Sequence, residues 1–188
     1  MRKNYTNIIL LCGAALLLSL TGCISNDTKD ESSPFYSVPV HSILKLNQSL
    51  IINGGQVATY VQNGKVMPER DVDKYSPNCK FEIYTMSEQP RTVDADSFLL
   101  TKVVDNIESS SLKESPQLAA LDGALVIGLW DRSYMYNYAT MMYLHSDRQK
   151  DVYRMTCQHW EDVMDDMYLS VTQMRQAMGK VFTLEIKK

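Results

Sequence analysis

Beyond residue 40, apolar and polar side chains alternate with a period of two along most of the chain. That period is the mark of half-buried β-strands. Residues 41–52 are rich in aliphatic and β-branched side chains and read as a strand, broken by Asn53-Gly54-Gly55. Residues 56–62 follow, with Val57, Thr59 and Val61 predicted on one face and Ala58 and Tyr60 on the other. Asn63-Gly64 then precedes residues 65–67, and Pro68 stops the run. An Asn-Gly pair between two such runs predicts a tight hairpin, because both turn positions need positive φ.

Residues 71–78 carry loop chemistry. Residues 79–86 alternate cleanly, with Cys79, Phe81 and Ile83 facing the core and Lys80, Glu82 and Tyr84 facing out. Residues 97–104 read as a further strand, 109–116 as a polar loop, 117–122 as one helical turn and 124–130 as a short buried strand. Residues 134–145 and 152–160 predict a long hairpin around 146–150, with Tyr153, Met155 and Cys157 sharing a face. Only the last stretch changes period. Ser170-Val-Thr-Gln173 resembles a capping box, Val171, Met174 and Met178 recur at helical spacing, and Gly179 suits a left-handed stop. Residues 181–186 close the chain as a strand. The expected fold is mainly β: an antiparallel sandwich or open barrel with one short helix near the C-terminus.

The first 22 residues follow another logic. Arg2 and Lys3 precede a 13-residue apolar stretch, residues 8–20. Such a stretch is short of the roughly 20 residues a spanning helix needs, and fits an export signal. Leu20-Thr21-Gly22-Cys23 resembles the lipobox of bacterial lipoproteins at all four positions. The resemblance implies cleavage before Cys23 and lipid on its thiol; an ordinary signal with an incidental cysteine is the plainer alternative. Ile24 follows, where aspartate would resemble an inner-membrane retention signal, so the implied address is the outer membrane, with the domain on its periplasmic side. Residues 23–35 are polar after the cysteine and read as a flexible tether, and 36–188 as a single mostly-β domain.

Residues 156–162, the helix with the strand after it, and the block Tyr75-Ser-Pro-Asn-Cys-Lys-Phe81 resemble uncharacterised envelope lipoproteins of gamma-proteobacteria. That resemblance brings no activity with it.

The full chain has 19 basic and 22 acidic residues; without Arg2 and Lys3, 17 basic residues remain and the net charge is −5. No basic patch dominates, which argues against nucleic acid as a partner. Of four cysteines, Cys79 and Cys157 remain once Cys12 leaves with the signal and Cys23 carries lipid. An even pair in an oxidising compartment points to a bridge, with two separate buried thiols as the alternative.

Candidate chemistry is sparse. Cys157, His159, Glu161 and Asp162 are close in sequence, but a bridged Cys157 cannot ligate, and closed zinc sites want four N or S ligands. Glu161, Asp162, Asp165 and Asp166 lack the spacing that wraps calcium and read as a solvated loop. No Gly-x-Ser-x-Gly, His-Glu-x-x-His or glycine-rich phosphate loop occurs. No catalytic residue, metal or cofactor is assigned. Tyr134, Tyr136 and Tyr138 form a stripe that suits either sheet packing or a partner. The expectation is a lipid-anchored binding or accessory module that meets the membrane through its anchor and an envelope protein or wall material through its surface. An envelope or wall hydrolase, or a structural tether within a complex, are the alternatives.

Overall fold

A computed structural model describes residues 30–110, 135–162 and 167–187. The segment read as an export signal, Cys23, the segments 117–122 and 124–130, Tyr134, Asp165 and Asp166 lie outside the described residues.

Ten strands and one helix are described: β1 (Ile43–Leu46), β2 (Leu50–Ile52), β3 (Ala58–Gln62), β4 (Lys65–Met67), β5 (Asn78–Ile83), β6 (Arg91–Val93), β7 (Asp96–Ser110), β8 (Met135–His145), β9 (Val152–Asp162), α1 (Val171–Met178) and β10 (Phe182–Glu185). Eight strands form one sheet in the order β10-β1-β7-β8-β9-β5-β3-β4, and β2 pairs with β6 in a small second sheet. Every pairing is antiparallel.

The large sheet is curled into half a barrel. Its inner-face contacts show the curl directly. Phe81 on β5 and Phe182 on β10 stand five strands apart in the sheet, about 24 Å if it were flat. Their ring centroids lie 5.3 Å apart, and Phe81 also meets Phe98 on β7 at 6.0 Å. Around these rings Leu44, Leu46, Leu100, Met142 and Met155 fill the concave face, and Val171, Met174, Ala177 and Met178 cover it from α1. Ser170 starts the helix as its spacing predicts: its hydroxyl accepts from the Gln173 N–H, and the Gln173 side chain accepts from the Ser170 N–H.

The helix also spans the opening of the half-barrel. Arg175 donates from Nε and Nη2 to the Leu184 carbonyl of β10, at 3.0 and 2.9 Å. At the far margin, the Gly64 N–H of the β3–β4 turn donates to the Ala177 carbonyl at 2.9 Å. That turn has the predicted chemistry, with φ of 51° at Asn63 and 72° at Gly64.

Cys79 and Cys157 face each other in register on β5 and β9, with sulfurs 2.03 Å apart, at disulfide distance. Both are fully buried among the inner-face side chains.

Four local readings need correction. Residues 41–52 form two strands in different sheets, because Asn47 turns away to bond the Lys180 carbonyl and the Thr183 hydroxyl. Strand β7 runs through Ser109 and Ser110, since β8 pairs with it along that whole length and polarity alone does not end a paired strand. A bulge on β9 lets Val152 pair with Ile83 while Arg154 pairs with Glu82, so Val152 takes the core position and Tyr153 leaves the face of Met155 and Cys157. The chain also joins the domain before residue 36: the Glu31 carbonyl accepts from the Thr172 N–H at 3.3 Å, and its carboxylate pairs with Arg175.

Candidate functional site: two clefts around Tyr75

The last residues of β9 alternate across the sheet. His159 and Glu161 point to the concave side; Trp160 points to the other. The loop after β4 wraps over this end of the strand. A 3₁₀ turn, Glu69–Asp71, leads into it. The buried Gln62 amide fixes it by donating to the Asp73 carbonyl at 2.8 Å and accepting from the Asp73 N–H at 3.1 Å. The Trp160 N–H donates to the Lys74 carbonyl at 2.8 Å, tying loop to strand. Asp73 stiffens the tip by accepting from the Ser76 hydroxyl and the Tyr75 N–H, and these bonds hold its carboxyl below its ordinary range.

Tyr75, at that tip, is 66% exposed and lines two clefts. The larger, of about 890 Å³, is walled by Tyr75, Trp160 and Met135, with Glu69, Arg70 and Lys74 supplying charge. The smaller, of about 610 Å³, is walled by Tyr75, His159, Glu161, Met167, Tyr168 and Pro34. Flat aromatic faces beside polar groups suit ligands that present both an apolar surface and hydroxyl or charged groups.

His159 is oriented. Its Nε2 lies 2.9 Å from the Met167 carbonyl oxygen, which can only accept, so Nε2 carries the proton. The other ring nitrogen, Nδ1, lies 4.0 Å from a Glu161 oxygen. Tyr60, bonded to Glu69 of the first cleft, has its phenol pushed up to about 12, first by burial and then by the Glu69 carboxylate.

The tyrosine stripe is placed differently from a free face. Tyr138 is 2% exposed, with Tyr168 and His159 edge-on to it at 5.7 and 6.2 Å, and Tyr136 is half-buried beside it. Its face of β8 is the inside of the curl, so of the two readings of the stripe Tyr138 takes sheet packing. The stacked tyrosines sit on the outer face instead. Tyr153 lies 4.5 Å from Tyr84 and 5.5 Å from Tyr143, with Arg154 over Tyr153 and Lys102 over Tyr143. The β9 bulge that brings Tyr153 there leaves no trace in the sequence pattern. Tyr75 did carry a signal: an aromatic residue in an otherwise polar loop.

Among the described residues no three His, Cys, Asp or Glu side chains come together as a metal would require. Among them, too, no helix is long and apolar enough to cross a membrane. No family model, curated protein or solved structure matches the chain.

Proposed function

We propose that this chain is a lipid-anchored lipoprotein of the cell envelope, held at the outer membrane through Cys23, and that it acts there as a binding or accessory module through the two clefts around Tyr75. The lipobox-like Leu20-Thr21-Gly22-Cys23 supports the address. A bridge between Cys79 and Cys157 fits an oxidising compartment. The observation that carries the binding role is the exposed Tyr75, built on a loop clamped by Gln62 and Trp160 and shared by both clefts. Tyrosine is among the side chains enriched at the energetic centres of protein interfaces.

The address is tested by mass spectrometry of the native product, with lipid on Cys23 expected and a bare thiol or a retained leader overturning it. The site is tested by a photocrosslinking residue placed in living cells at position 75 and, as a control, at Tyr84, itself 61% exposed. A defined adduct from position 75 and none from 84 is expected; equal products from both, or none from 75, overturn the assignment. A hydrolase acting on wall material is the second reading, favoured by the His159–Glu161 pair in the smaller cleft. His159→Gln abolishing a wall-degrading activity of the purified domain would select it.

A further inference from the structure

Phe35 is 78% exposed, the most exposed large apolar side chain of the described residues. Its neighbours on the same strap turn inward: Val38 is buried and Tyr36 packs on the core. Phe35 lines a small cavity with Pro34 and Tyr168. Pro34 and Tyr168 also wall the smaller Tyr75 cleft, whose rim carries the exposed Met167. An apolar patch thus lies beside the mouth of that cleft, left exposed among the described residues.

Its position says what covers it. The strap is fixed to the domain from its start: Ser33 and Tyr36 close turns on Asp30 and Ser33, and Glu31 is held by Thr172 and Arg175. Only residues 24–29 separate Cys23 from Asp30. Fully extended, those seven steps reach at most about 25 Å. Glu31 is neutralised by Arg175, so no unpaired charge from that residue opposes approach to a lipid surface.

We infer that Phe35 and Met167 dock on the phospholipid bilayer that holds the anchor, and that the smaller Tyr75 cleft opens beside that surface. This rests on the lipid-anchor reading. A Phe side chain at the headgroup–acyl boundary trades water for an apolar environment, and the short tether keeps it at that boundary without a second anchor. The docked domain is then oriented rather than freely tumbling, with the β8–β9 turn directed away.

The experiment separates docking from natural lipidation by coupling Cys23 of the mature chain chemically to a maleimide lipid in phosphatidylethanolamine/phosphatidylglycerol vesicles. The emission added by Phe35→Trp is compared with that added by Ile51→Trp, an exposed position on β2, whose partner strand ends beside Gln149 of the β8–β9 turn. Docking predicts that the Phe35→Trp emission shifts to the blue and loses most of its intensity when the lipids carry bromine near the headgroup, while the Ile51→Trp emission does neither. Unshifted, unquenched emission from position 35, or equal quenching at both positions, overturns the inference. A bare Cys23 in native material would overturn the anchor reading alone and is seen independently.

Discussion

Gly64 and Gly179 touch backbone to backbone. A Cβ on Gly179 would stand 2.4 Å from the Gly64 Cα, and one on Gly64 would stand 3.3 Å from the Gly179 Cα. This contact seats the β3–β4 hairpin on the end of α1, and it exists because neither residue has a side chain.

The two glycines are therefore unequal. Gly179→Ala meets hard backbone and also carries a φ of 54°, so it should cost about 2–4 kcal/mol. Gly64→Ala, with looser clearance but a φ of 72°, should cost about 1 kcal/mol. Urea midpoints of the two variants measure this, and the reverse order would contradict the contact.

Removing the cystine should be expensive. Cys79 and Cys157 are 78 residues apart, and opening a loop of that size frees about 4.5 kcal/mol of unfolded-chain entropy. Cys79→Ala/Cys157→Ala, or reduction in denaturant followed by refolding, should lower the urea midpoint accordingly. In a chain of residues 23–188 carrying Cys23→Ser, and so lacking Cys12, unfolded protein should show no free thiol until reductant is added.

Acid should weaken the outer face through Glu82. Burial pushes its carboxyl up, but hydrogen bonds from Arg154 and Lys80, with their charges, outweigh this and hold it below the ordinary range. The folded value is depressed, so its contribution is complete above about pH 4.3, the unfolded carboxyl value, and is lost as pH falls through the folded one. Glu82→Gln should flatten that part of the stability–pH curve. Arg154→Ala should cost about 2–3 kcal/mol at pH 7, below the full penalty of an orphaned buried charge because Lys80 remains 3.0 Å away.

At the alkaline end Tyr60 sets the opposite slope. Its folded value of about 12 lies above the unfolded value near 10. The stability it contributes is therefore complete below pH 10 and drains as pH rises through 12. Absorbance titration at 295 nm should show a phenol ionising near pH 12, and Tyr60→Phe should remove that step.

Local chemistry made much of this fold readable before any coordinates. Asn63-Gly64, the alternation Cys79-Phe81-Ile83 and the Ser170–Gln173 box each need only a few neighbouring residues to do their work, and each appears where predicted. What stayed hidden depends on partners distant in sequence. The β9 bulge turns Tyr153 outward, and the curl of the sheet buries Tyr138. Neither the bulge nor the curl has a signature in periodicity, which records that a residue alternates but not which side becomes the inside. The clefts were hidden for the same reason: Tyr75 meets His159 and Trp160 only when a loop folds across a strand 84 residues later in the chain.

A half-barrel has two rims, and an uncovered rim is a template on which a second copy can add a strand. Here one helix touches both margins, with Arg175 bonded to a β10 carbonyl and the last turn seated on the β3–β4 hairpin. Any event that lifts that helix therefore frees both margins and bares the phenylalanine-lined interior together. Loss of the helix and exposure of that interior become a single step for this domain, governed by the integrity of eight residues, Val171–Met178.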